Sequence, residues 1–250
     1  MLSERLSAVA GLTESAAREL RGQKGTESIC ITDIGTDHGY LPIWLITHEV
    51  ADRVIAADVN RGPLARAEAH VIAAGLTERI DVRLSDGFSG IRQGEAQIAV
   101  LSGMGGRLMV RLLTECPPQE LGIRQLVLQP QSEPKELWEF LRENGWFVVD
   151  EQMVYEDDQF YTMMRAVRAG ANVRKSEDDF GAFLSARRDE TWHLLLEKER
   201  AANSELIEKL TAGNAPEARI AELRAQQANI DAALTVFRED APDGDGLEGS

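Results

Sequence analysis

At 250 residues with 43% apolar side chains, the chain is long enough for one well-packed α/β domain and an appendage, which excludes a disordered protein. A formal net charge of −15 excludes a general, sequence-blind affinity for nucleic acid, so any such partner must be held by a local patch. No leader-like start, no run of about eighteen apolar residues and no zinc-ligand spacing appears, so a soluble, cytoplasmic protein with neither membrane span nor metal is expected.

In chain order, short β-rich runs fall at residues 29–33, 54–58, 80–84, 98–102 and 126–129, each followed by a stretch able to cross over as a helix. The first crossover is LPIWLITHEV. The second is GPLARAEAHVIAAGL, whose Leu64, Ala67, Val71 and Ala74 share one helical face, with Gly75 as its stop. Nearly unbroken apolar strands alternating with helices imply a parallel sheet. After the helix-like SEPKELWEFLREN the pattern changes, and runs at 146–155 and 160–167 flank Glu156, Asp157 and Asp158 as an antiparallel hairpin. A parallel sheet ending in such a hairpin is the outline of the Rossmann-like class I methyltransferase fold, whereas dinucleotide dehydrogenases continue with parallel strands.

From Ser176 onward the pattern is helical. Ile220, Leu223, Gln227, Ile230, Leu234 and Phe237 form a heptad seam, and Leu195, Ala202, Leu206 and Leu210 form another, with Leu196 and Ile207 beside it. Gly213 and Pro216 break the helix between them, which predicts an antiparallel helical hairpin of coiled-coil type, open to three uses: packing on the domain, packing on a second copy as a homodimer, or contact with substrate. The expected organisation is a catalytic domain at 1–171, the hairpin at 172–240 and a disordered acidic tail at 241–250.

Candidate chemistry sits at the strand ends. DIGTDHGYLP lacks the G-x-G-x-x-G spacing of a dinucleotide fingerprint but offers Asp33 at a strand's end, Gly35 for close backbone approach, and Asp37 and His38 before a helix. Asp33 is suited to meet the cationic amino group of a bound amino acid. Asp58 stands where α/β nucleotide binders hold ribose hydroxyls, and Asp86 can accept from an adenine amino group, with Gly87 giving backbone access and Phe88 an apolar wall. Each is also an ordinary turn or cap residue, but three in successive loops open on one edge of a parallel sheet. The fourth strand ends in LSGMGGRLM, whose Gly103, Gly105, Gly106 and Met104 can admit a flat substrate, and the fifth in LQPQ, where Gln129 and Gln131 can read a base edge.

With DIGTDHGYLP, the GPL after the second strand, SDGF, SGMGG, LQPQ and NGW, the sequence resembles the bacterial tRNA (adenine-22-N1)-methyltransferase family. The resemblance implies S-adenosyl-L-methionine as donor, tRNA as partner, a Rossmann-like catalytic domain and a C-terminal coiled-coil region. Carried over, the cofactor loop falls on Asp33, Gly35, Asp37 and His38, the ribose side on Asp58 with Val59 beside it, and the adenine side on Asp86 and Gly87, with Gly103 completing the site. Substrate contacts fall on Gly105, Gly106, Gln129 and Tyr161; Asp37 and the carbonyls around Met104 are the catalytic candidates, and Arg5, Arg61, Arg107 and Arg111 are candidate phosphate contacts. The chain departs from the usual family pattern at Ala57-Asp58, Ser85 and Gln131, where Gly-Glu, Gly and Asn are more common. Two alternatives stay open, a methyltransferase for a small molecule or protein and an inactive nucleotide-binding adaptor.

Overall fold

The first element, α1 (Glu4–Arg21), is one that the expectations above omit. In this computed structural model, which describes residues 2–23, 28–168 and 180–238, Ser3 caps the helix by accepting from the Leu6 amide, and Arg18 and Arg21 lie at its negative end. Its buried stripe, Val9, Leu12, Ala16 and Leu20, packs into the main core with Ile31, Val54, Ile98, Val100 and Val127 from one face of the sheet. The helix entry is tied down from far away in sequence: Glu4 donates its backbone N–H to the Glu156 carboxylate at 3.0 Å, and Arg5 lies 3.9 Å from the same group.

The sheet has seven strands in the order β3-β2-β1-β4-β5-β7-β6. These are β1 (Cys30–Ile34), β2 (Arg53–Asp58), β3 (Ile80–Leu84), β4 (Ile98–Met104), β5 (Gln125–Pro130), β6 (Trp146–Glu156) and β7 (Gln159–Arg168). The first five are mutually parallel, and β7 runs antiparallel to both β5 and β6. The expected hairpin therefore forms the sheet edge, with Asp157 and Asp158 at positive φ of 51° and 59°, as a tight two-residue turn demands. The crossovers are α2 (Tyr40–Thr47), α3 (Arg61–Ala73), α4 (Gly106–Glu115) and α5 (Pro134–Glu143). No α-helix joins β3 to β4, contrary to expectation; a single 3-10 turn at Gly87–Gly90 stands there, in a glycine-rich segment of low helix propensity. The chain moves outward from β1 to β3 and then returns to β4, so β1 and β4 flank the switch point, where their following loops part and open a crevice.

The chain divides into two compact units, Met1–Phe180 and Gly181–Ser250. The boundary expected between 171 and 172 and the tail at 241–250 lie outside the described residues. Within the second unit, α6 (Ala182–Ala186) precedes the paired helices α7 (Glu190–Ala212) and α8 (Glu217–Arg238). Their partners run in opposite directions: His193 stacks on Phe237, Arg200 pairs with Asp231 at 2.8 Å, and Asn203 donates to the Leu223 carbonyl at 3.0 Å. The α8 seam is as expected at Ile220, Leu223 and Leu234, which are buried. The α7 seam is shifted. Trp192, Leu196 and Asn203 are buried while Ala202 and Leu206 are exposed, because a polar residue, Asn203, takes a core position by satisfying a carbonyl of the facing helix. Among the described residues no helix is long and apolar enough to cross a membrane, and no cluster of three or more His, Cys, Asp and Glu is arranged to hold a metal ion.

Candidate functional site

A cleft of about 480 Å³ opens at the carboxyl ends of β1, β2, β3 and β4. Its floor begins with the turn after β1. Gly35 and Thr36 both donate to the Ala57 carbonyl, at 2.8 and 3.0 Å, which stitches this turn to the end of β2. Gly35 has φ of 80°, and a Cβ there would lie 2.9 Å from Met104 Cε, so only glycine leaves the methionine its place. Asp37 follows at φ of 49°, a left-handed conformation that Asp tolerates better than most residues, with its side chain largely exposed to the cleft. His38 Nε2 lies 3.6 Å from the Asp37 carboxylate.

Two acids lie beneath this turn. Asp33 is 4% exposed, and burial pushes its carboxyl up to about 7; the Thr36 hydroxyl offsets this in part, and the nearby Asp58 carboxylate adds to it. Asp58, also buried, accepts from the Asp37 amide through Oδ2 at 3.2 Å and from the Asn60 amide through Oδ1 at 2.7 Å. Its carboxylate thus fixes both flanking loops while keeping a lone pair on each oxygen. Val59, next in sequence, is 57% exposed and offers the cleft an apolar surface.

The third acid differs. Asp86 stands open to solvent, with the Arg111 guanidinium 4.0 Å away. The turn that carries it is rigid, because the buried Ser85 hydroxyl donates to the Gly87 carbonyl and accepts from the Gly90 amide. Gly87, at φ of 54°, faces Leu112, whose Cδ2 would be 2.6 Å from an added Cβ. Phe88, expected to wall the cleft, is instead 1% exposed in the core below the turn.

The opposite wall is the β4 end. Gly103, at φ of 78°, and Met104 line it together with Ser102 and Gln131. Gln129 does not face the cleft. It is fully buried, its Oε1 accepts from Ser102 Oγ and the Gly103 amide, and its amide nitrogen donates to the Pro130 carbonyl, so it clamps the bulge between Ser102 and Met104. Gly105 and Gly106 also lie off the cleft surface, at the start of α4. A Cβ at Gly106 would meet the Ser132 and Glu133 carbonyl oxygens at 2.6 and 2.7 Å, so this glycine is fixed by backbone packing.

Tyr161 is likewise set back. Its ring lies under the Arg5 guanidinium, 4.7 Å from the centroid, and Arg5 reaches the cleft. Arg111 lines the cleft as well, whereas Arg107 is turned toward Glu136 and Glu133 outside it. The cleft therefore unites Asp33, Gly35, Asp37, His38, Asp58, Val59, Asp86, Gly87, Gly103 and Met104, and leaves out Gly105, Gly106, Gln129 and Tyr161. The cleft is also lined by residues to which the sequence motifs assigned no role, among them Leu6, Tyr40, Pro63 and Leu108. For Tyr40 a signal was available, since it directly follows the glycine that turns the chain into α2.

The residue chemistry fits a sulfonium amino acid joined to adenosine. A buried carboxyl pair suits the ammonium group and a diol, an exposed valine and glycine backbone suit a ring, and an acid at the far loop suits an exocyclic amine.

Comparison with known proteins agrees with this chemistry. The sequence profile described as tRNA (adenine(22)-N(1))-methyltransferase matches residues 31–233. A Bacillus subtilis (strain 168) protein, tRNA (adenine(22)-N(1))-methyltransferase, is 33% identical over 136 residues, 54% of this chain and 57% of the relative, so the match spans little more than half of it. Among solved structures, an uncharacterized Listeria monocytogenes protein superposes with a TM-score of 0.80 at 29% identity over 94% of this chain and 100% of the other. A Streptococcus pneumoniae protein described as a candidate tRNA (m1A22) methyltransferase, in complex with S-adenosyl-L-methionine, gives 0.76 at 27% identity over 94% and 100%.

Proposed function

We propose that this chain, which belongs to the tRNA (adenine(22)-N(1))-methyltransferase family, methylates N1 of an adenine in tRNA with S-adenosylmethionine as donor. The observation that carries the reading is the buried Asp33–Asp58 pair at the switch-point crevice, a site whose raised carboxyl calls for a cationic partner. When bound, the donor supplies a methyl group on a positively charged sulfur. Asp33 receives its ammonium group, Asp58 accepts from the ribose hydroxyls with its remaining lone pairs, Val59 and Gly87 flank the adenine, and Asp86 accepts from the exocyclic amine. His38 and Gly103 complete the donor side.

The target adenine enters along Gly103 and Met104. Its N1 carries a lone pair and needs no deprotonation, so the protein's work is mainly positioning. Asp37 and the loop carbonyls around Met104 stabilise the positive charge that develops on the base. N1 lies on the pairing edge, so the base is extruded from its stack before it reacts. Gly105, Gly106 and Gln129 act by holding the β4 loop in shape, and Tyr161 acts by holding Arg5 at the cleft mouth.

The cytoplasm, where tRNA resides, is its place of work. The helical hairpin serves as a homodimer surface, a reading supported by Leu194, Leu206 and Val236, which expose 52%, 40% and 40% of their area on α7 and α8. A dimer mass by light scattering is expected, and a monomer at all concentrations overturns this part.

The test of function is labelled methyl transfer from S-adenosylmethionine to a panel of unmodified tRNA transcripts, followed by nucleoside mapping. The expected product is 1-methyladenosine, lost when the target adenine is replaced by guanine. Transfer surviving both Asp33→Asn and Asp58→Ala overturns the donor site. One observation favours a second reading: net charge −15 suits a small-molecule or protein acceptor, which becomes the better reading if the donor binds and no tRNA is labelled.

A further inference from the structure

Three rings lie near-parallel at the rim of the cleft, and the donor site does not use all of them. The His38 and Tyr40 rings are 5.6 Å apart with planes inclined by 15°, Tyr40 and His70 are 5.2 Å apart at 20°, and His38 and His70 are 6.1 Å apart at 28°. The backbone dictates this cluster. Gly39, at φ of 73°, turns the chain so that residues 38 and 40 lie side by side, and a Cβ there would press on Ala67 of α3 at 3.2 Å. That close approach brings His70, one helical turn beyond Ala67, against the turn, where its Nδ1 is hydrogen-bonded to the His38 carbonyl at 2.9 Å.

Tyr40 is 53% exposed, although a large aromatic ring gains most from burial. It lines the cleft, so the ring surface is continuous with the site where the target base is proposed to react. Charge beside it points the same way. Arg61 and Arg66 of α3 have no carboxylate partner among the described residues, whereas Arg5, Arg107 and Arg111 all lie within 4.0 Å of one. Arg66 precedes His70 by one turn, on the same side of the helix, and α3 carries a single acid, Glu68.

We propose that the Tyr40–His38–His70 ring cluster is a stacking platform for a nucleobase that flanks the target adenine in RNA, with Arg61 and Arg66 placed for the phosphates on either side. The proposal rests on the tRNA reading above. Extruding one base unstacks its neighbour, and a flat aromatic surface with adjacent positive charge replaces the lost stacking without reading sequence. The platform thus offers an acidic protein a local hold on RNA.

The experiment is binding of an unmodified tRNA transcript to the full chain with S-adenosylhomocysteine saturating, alongside calorimetry of S-adenosylmethionine. Tyr40→Ala is expected to weaken tRNA binding by roughly tenfold, and Tyr40→Phe to keep it, since the ring face and not the hydroxyl makes the contact. Donor affinity and melting temperature stay at wild-type values in both. An abasic nucleotide next to the target should cost the wild type a similar factor and cost Tyr40→Ala nothing further. Unchanged tRNA affinity in Tyr40→Ala overturns the platform, as does a parallel loss of donor affinity, which would assign the ring to the donor. If the wild type methylates tRNA and the platform prediction fails, the platform alone is wrong. If the wild type neither binds nor methylates tRNA, the functional reading falls and takes the platform with it.

Discussion

The two walls of the cleft are built on opposite principles. The β1–β2–β3 side presents four carboxylates, Asp33, Asp37, Asp58 and Asp86, of which Asp33 and Asp58 are buried and Asp58 is already bonded to two backbone amides. The β4–β5 strand ends present no acid: Ser102, Gly103, Met104 and Gln131 line the cleft there, and the buried Gln129 holds them from behind. The difference teaches that a buried charge is tolerated where a cation is to arrive, and a neutral wall serves where an aromatic base must slide in. The first wall is assigned to the donor and the second to the adenine.

The largest effect should come from the hinge of the neutral wall. Gly106→Val forces a Cβ into two carbonyl oxygens of the loop before α5, and a loss of about 3 kcal/mol or more is expected in denaturant unfolding. Next, Asp58→Ala strips the partners from the Asp37 and Asn60 amides. The expected cost is about 2 kcal/mol in donor binding, read by calorimetry; wild-type affinity would place the donor elsewhere. Gln129→Ala leaves the Gly103 amide unpaired in the opposite wall and should lower kcat roughly tenfold with little change in donor affinity.

The acids also predict a pH response. Folded Asp33 titrates at about 7 against 3.8 ordinarily, so between those values the folded protein keeps a proton that the unfolded chain has lost. Its burial therefore lowers stability progressively as pH rises through that window, and below it the penalty vanishes. A cationic ligand favours the ionised form, so donor binding should tighten as pH rises toward 7 and release a proton, both effects being lost in Asp33→Asn. The smallest effect is expected at Asp86→Asn: an exposed group 4.0 Å from Arg111 contributes at most about 0.5 kcal/mol to stability.

Much of the donor wall was legible in the sequence, because short β-rich runs alternating with helices imply parallel strands, which place every strand-end acid on one edge. The hairpin was legible for a similar reason, since two β-rich runs separated by adjacent aspartates have little else to form. The neutral wall was less so. Whether Gln129 faces the cleft or the core depends on the bulge between Ser102 and Met104, which no residue pattern announces. Gln129, read as a base-edge contact, is thus a buried clamp. Contributions from α1 were hidden by distance, because Arg5 and Leu6 reach the cleft only when Glu156, some 150 positions later, anchors the helix entry. In α7, a search for apolar heptads passes over Asn203, whose burial is permitted by a carbonyl on the facing helix.

The most direct test of the two-wall account is calorimetric titration of S-adenosylmethionine into Asp33→Asn and Gln129→Ala side by side. The account predicts that affinity falls by about tenfold or more in the first, where a buried charge partner is lost, and stays at the wild-type value in the second. Equal affinity in both, or a loss confined to Gln129→Ala, would contradict it.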